Sequence, residues 1–212
     1  LPPLENGECD PDAADLIFAA QSRFDAALFG PGLASGPATS TMLSRLWADW
    51  QIPCTIDAAA LNVVAGGASL PNVPCALTPH PGELGRLLNR TTAEVNSFRF
   101  GSVQEAVRKF GKTCLIKGPH TIIGAPQEPL NVNPTGNPGM ATAGMGDVLA
   151  GIVASLMGQQ LPPYYATSVA VYWHGLAADM VAAESGAIGM RASDVATILP
   201  RARAKITATC TE

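Results

Sequence analysis

Between Gly136 and Asp147 the chain reads GNPGMATAGMGD, a run of small residues that ends in an aspartate and opens an apolar stretch. Backbone N–H groups exposed where such a loop enters a helix make an anion site, because the amides and the helix dipole both favour negative charge. An aspartate in that first turn stands where a base could deprotonate a hydroxyl while a phosphoryl group is transferred to the same oxygen. The plain alternative is a capping carboxylate after a flexible loop. So many glycines cost backbone order, however, which favours a functional reason for them. The loop lacks the GK[ST] of a Walker P-loop.

Other segments carry polar groups at turns. Lys117-Gly118 ends one apolar run just before another, where a lysine could reach a phosphate as a point charge or be a solvated hairpin residue. In Thr78-Pro79-His80-Pro81-Gly82-Glu83 the histidine is restrained between two prolines. Pro81 suits a first helical position and Glu83 the helix dipole, so the ring is either aimed at a ligand or packed on the surface. Gly30-Pro31-Gly32 with Gly36, followed by Asp57, imitates a dinucleotide fingerprint, but the spacing is GxGxxxG and a tight strand-to-helix turn explains it equally well. His174, mid-helix among apolar residues, reads as a satisfied core histidine.

These segments must be brought to one edge by the elements between them. Short apolar runs at 26–29, 53–57, 75–78, 113–116 and 121–124 read as strands, and 130–133 as an edge strand. Helices are expected from Asp10-Pro11 to about Phe24 and over 37–50, 81–89, 102–110, 147–157 and 163–184, with a short one at 193–199. The late helices are apolar nearly all round and should be buried. Strands separated by helices imply crossovers, hence a mostly parallel sheet covered on both faces, with ligands outside the carboxyl ends of its strands.

Composition fits that reading. Of 212 residues 47% are apolar and 14% charged, enough for a buried core and far from the profile of a disordered chain. A net charge of −4 argues against a nucleic-acid partner. No stretch reaches the roughly 18 apolar residues of a membrane span; the best, 169–183, is broken by His174 and Asp179. The five cysteines (Cys9, Cys54, Cys75, Cys114, Cys210) are widely spaced without a CxxC pair. They read as free thiols of a reducing cytoplasm rather than a disulfide or zinc framework.

Together, Asp57-Ala-Ala-Ala-Leu-Asn62, Leu77-Thr-Pro-His-Pro-Gly-Glu83, Lys117-Gly118 and the 136–149 stretch resemble the NAD(P)H-hydrate dehydratase family of the ribokinase-like superfamily. His174-Gly-Leu-Ala-Ala-Asp179 and Ala192-Ser-Asp194 fit its C-terminal part, so the resemblance covers nearly the whole chain in order. It implies a ribokinase-like three-layer α/β sandwich, with a mostly parallel sheet and helices on both faces, spanning residues 1–212 as one domain. The implied activity repairs the S form of hydrated NADH and NADPH by phosphorylating the added ring hydroxyl and eliminating phosphate. The bacterial pattern at HPGE and GMGD implies ADP as phosphoryl donor, leaving as AMP.

Carried over position by position, the resemblance makes Asp147 the base that takes the hydroxyl proton. It has the amides of Ala143, Gly144, Met145 and Gly146 hold the transferring phosphate. Lys117, Gly118, Pro119, His120, Thr121 and Gly146 bind nucleotide, and Gly32 and His80, with Asp147, line the hydrated cofactor. Mg2+ bridging phosphates is implied, although no dedicated protein cage for it is visible. The family's N-terminal strand and helix with its glycine-rich segment has no counterpart before Leu1, and Ala34 stands where GPGLG is usual. A fragment, a homo-oligomer, or completion by another polypeptide segment is therefore expected. Three alternatives stay open: a ribokinase-like kinase that keeps its phosphate ester, a Rossmann oxidoreductase resting on Gly30, Gly32 and Asp57, and a non-catalytic nucleotide-binding fragment.

Overall fold

The computed structural model describes residues 4–209. Its sheet has six strands in the order of the chain: β1 (Ala27–Phe29), β2 (Cys54–Ile56), β3 (Cys75–Leu77), β4 (Thr113–Ile116), β5 (Ile122–Gly124) and β6 (Asn131–Val132). β1 to β4 are parallel, with Phe29 beside Ile56 and Ile56 beside Leu77, whereas β5 and β6 continue the sheet antiparallel. The central strands β2 to β5 are buried on both faces, which is why they read as mainly apolar runs, with Thr55 and Thr113 the buried polar exceptions.

Side-chain alternation divides the core into layers. Cys54, Ile56, Cys75, Leu77, Cys114 and Ile116 face α1 (Ala13–Ala20), α2 (Pro37–Ala48), α3 (Ala58–Ala65), α4 (Pro81–Leu88) and α6 (Arg99–Phe110). Ala76, Leu115 and Ile123 face the opposite layer, made by α7 (Met145–Gly158) and α8 (Pro163–Ser185), against which α9 (Ala192–Thr209) packs. Helix starts follow local chemistry: Pro37, Pro81 and Pro163 occupy the first turns of α2, α4 and α8. Thr91 and Glu94 form a capping box on α5 (Thr92–Ser97).

The structure departs from the sequence reading in several places. α1 stops at Ala20 and a single 3-10 turn covers Gln21–Arg23. α3 and α5 are additional helices. The last helix runs on through Pro200 to Thr209, because Val195 and Ala202, two turns apart, are both fully buried against α8. α8 is not buried all round: Tyr165, Val169 and Tyr172 form an exposed stripe. His174 is 4% exposed but not satisfied, since its Nε2 has no partner. Burial pushes its pKa down to about 4, so the ring is neutral. Cys9, Cys54, Cys75 and Cys114 are free thiols, and burial pushes the Cys114 thiol up. Cys210 lies outside the described residues. Among the described residues no helix is long and apolar enough to cross a membrane.

Candidate active site at the carboxyl end of the sheet

The ladder runs one step beyond the strands and lines up the loops that follow them. Asp57 N donates to Phe29 O (3.0 Å), Thr78 N to Ile56 O (3.1 Å) and Lys117 N to Pro79 O (2.9 Å). Gly30, Asp57, Thr78–His80 and Lys117 therefore stand in one row. Gly30 lies so close to the next loop that a side chain there would overlap the carbonyl oxygen of Asp57, and its φ of +123° suits only glycine. Gly32 also has positive φ, but the space around it is open.

Asp57 is buried, 1% exposed, and its Oδ1 accepts from Lys117 Nζ at 2.8 Å. The lysine is thus no solvated hairpin residue. Nor is the carboxylate free to hold a ribose, which removes the acid that a dinucleotide fingerprint would need. Arg99, which the sequence reading passed over, clamps the β4–β5 turn by donating to the carbonyls of Ile116, Lys117 and Pro119 at 3.3–3.4 Å. Burial lowers its guanidinium pKa. Within that turn Pro119 and His120 are exposed, His120 with φ of +51°, and the Thr121 hydroxyl donates to Gly118 O.

α7 begins at Gly144 (φ +82°) without a side-chain cap, and its first intrahelical bond is Val148 N to Gly144 O. The amides of Met145, Gly146 and Asp147 precede that bond and have no intrahelical acceptor. Met145 contributes only its amide here, because its side chain is buried between α8 and α9. Asp147 is exposed, and its carboxylate has no hydrogen-bond partner among the described residues. A Cβ on Gly146 would come within 3.1 Å of Lys117 Nζ and 3.8 Å of Asp57 Oδ2, so the helix start abuts the buried ion pair.

The front of the glycine-rich loop is held from α8. Asp179 accepts from Gly136 N and Asn137 Nδ2, both at 2.9 Å, and Asn137 Oδ1 accepts from Gly139 N at 3.0 Å. Sequence reading placed Asp179 in the family pattern without a role. His80 caps α4: Nδ1 accepts from Gly82 N (3.0 Å) and Glu83 N (3.4 Å), and Glu83 Oε2 accepts from His80 N (2.8 Å). This leaves a ring proton on Nε2, 3.5 Å from Glu83 Oε1. The ring is half exposed, and its nitrogens face the helix and Glu83. No three His, Cys, Asp or Glu side chains among the described residues form a metal-holding group.

A sheet of this order, covered on both faces and meeting a glycine-rich helix start at its carboxyl end, defines the ribokinase-like class of α/β protein. The family model for NAD(P)H-hydrate dehydratase matches residues 3–201, and the chain belongs to that family. The bifunctional NAD(P)H-hydrate repair enzyme Nnr of Moorella thermoacetica is 40% identical over 203 residues, covering 94% of this chain and 38% of that one. The ADP-dependent (S)-NAD(P)H-hydrate dehydratase of Neisseria meningitidis is 36% identical over 203 residues, covering 92% and 68%. The chain thus spans well under half of the first of these relatives and about two thirds of the second. A crystal structure of the ADP/ATP-dependent NAD(P)H-hydrate dehydratase from Bacillus subtilis, co-crystallised with ATP and Mg2+, superposes with a TM-score of 0.77 at 28% identity, covering 89% of this chain and 69% of that one.

Proposed function

We propose that this chain dehydrates the S form of hydrated NADH and NADPH at the expense of ADP, giving NAD(P)H, AMP and phosphate. The observation that carries the reading is the start of α7. There an exposed, unpartnered carboxylate, Asp147, sits in the same turn as amides that lack acceptors, with the Lys117 ammonium against Gly146. A carboxylate placed so can take the proton of a bound hydroxyl as its oxygen attacks the terminal phosphorus of ADP. The amides of residues 143–146 and Lys117 would hold the charge that develops on the phosphoryl oxygens, in-line with AMP as leaving group. The phosphate ester then breaks its C–O bond, and loss of a proton from the neighbouring ring carbon restores the double bond.

The Lys117–Thr121 turn and Gly146 would bind the nucleotide, and Gly32 and His80 the hydrated ring. Mg2+ fits as an ion carried mainly by phosphate oxygens and water, since the protein side offers single carboxylates rather than a cage. Bound there it would neutralise phosphate charge. A homo-oligomer, or a further polypeptide segment that extends the sheet, belongs to the same proposal, with light scattering as its check. The test of activity is recovery of reduced-nicotinamide absorbance from hydrated NADH with Mg2+ and ADP. Recovery that needs ADP and is lost in Asp147→Asn supports the reading. An accumulating phosphate ester identifies a kinase instead, and ADP binding without turnover a non-catalytic fragment.

A further inference from the structure

Asp57 stands at the N-cap of α3, the position at which an aspartate ordinarily accepts from the first amides of its helix. It makes no such side-chain bond. Its carboxylate turns instead to Lys117, sixty residues further along the chain, and the residue after it, Ala58, is held in the left-handed region at φ +47°. Strain of that kind survives where surrounding structure imposes it, most often at functional sites. Stability alone gives little reason for the pair, because a buried ion pair adds little over well-packed apolar residues of similar volume. What the pair does achieve is placement: the lysine, one fifth exposed, has its ammonium against the first turn of α7, where Gly146 leaves room for it.

We infer that Asp57 is a positioning residue, which acts through Lys117 by fixing the ammonium where it meets the terminal phosphate of a nucleoside diphosphate at the start of α7. The inference rests on the proposed function, and deepens it by separating what recognises the terminal phosphate from what recognises the rest of the nucleotide. Asp57 itself touches no ligand. Lys117 without its carboxylate still has the stem length to reach solvent, so its charge survives while its position is lost.

The test is a double-mutant cycle on the full chain, reading ADP and AMP affinity by titration calorimetry for wild type, Asp57→Asn, Lys117→Met and the double variant. Asp57→Asn is expected to weaken ADP binding roughly tenfold, the scale of one charge-assisted hydrogen bond, while AMP binding changes little. In the Lys117→Met background the same substitution is expected to change ADP affinity less than twofold. A purely structural carboxylate would lower both affinities alike and would do so in either background, and that additive pattern overturns the inference. If Lys117→Met does not fold, because it strands the buried Asp57 carboxylate, the double variant, which buries no unpaired charge, is compared with Asp57→Asn. Equal ADP affinities support the coupling and a further loss overturns it. Absence of ADP binding by wild type overturns the proposed function and this inference together; binding with additive losses overturns this inference alone.

Discussion

Asp179 offers a test of the loop that does not depend on knowing the substrate. Its two carboxylate oxygens accept from two donors, Gly136 N and Asn137 Nδ2. An amide of the same shape has only one oxygen, so Asp179→Asn must lose one of the two bonds in either orientation and set an NH2 group against another donor. A hydrogen bond to a charged acceptor contributes about 1.5–3 kcal/mol, and partial exposure of this site argues for the lower end. For a chain of this size about 1.5 kcal/mol corresponds to a fall in Tm of roughly 3–6 °C. Calorimetry should show that fall for Asp179→Asn and at least as large a one for Asp179→Ala. Turnover should drop further than the fraction folded, because the tether holds the loop that leads to Asp147. If the asparagine variant matches wild type in both Tm and turnover, the carboxylate is not the clamp of the loop and the reasoning fails.

Other expectations follow from single geometries. Asp147→Asn should lower turnover by about 10²–10⁴-fold, the usual contribution of a general base, while ADP binding by calorimetry stays within a few-fold. Gly30→Ala should destabilise by at least about 3 kcal/mol in urea unfolding, since its Cβ overlaps the Asp57 carbonyl at a positive φ. His174 has a native pKa of about 4 against an ordinary 6.5, so the unfolded chain binds the extra proton as pH falls through that window. Stability should therefore be intact above about pH 6.5 and decline by roughly 3 kcal/mol on the way to pH 4; His174→Gln should flatten that slope.

The strands were legible because parallel strands buried on both faces become short apolar runs, and Pro53, Pro74 and Gly111 mark where the runs begin. α3 was not, since its eight residues follow Asp57 with no turn between strand and helix, and an alanine-rich run of that length gives no clear period. At the site, the helix start and its aspartate could be read from composition. The Asp57–Lys117 pair, the Arg99 clamp and the Asp179 tether could not. Each joins residues 17 to 60 positions apart, and no periodicity records which polar side chain the fold turns toward which. His80 is restrained between its two prolines, and the cap that its ring makes on its own helix was not legible either.

The strand order has a consequence for assembly. Because each strand pairs with the next in sequence, the sheet can grow one neighbour at a time, and the longest connection between neighbours, from Leu77 to Thr113, is filled by α4, α5 and α6. α7 breaks that pattern: it returns across the sheet to the first strands, with Met157 Sδ 3.9 Å from Thr55 Oγ1, about a hundred residues back. The same return carries Gly146 to Lys117 and sets Asp147 in its turn. The carboxylate of Asp147 is thus kept from this edge in partly folded chains, since it arrives with contacts that reach about a hundred residues back.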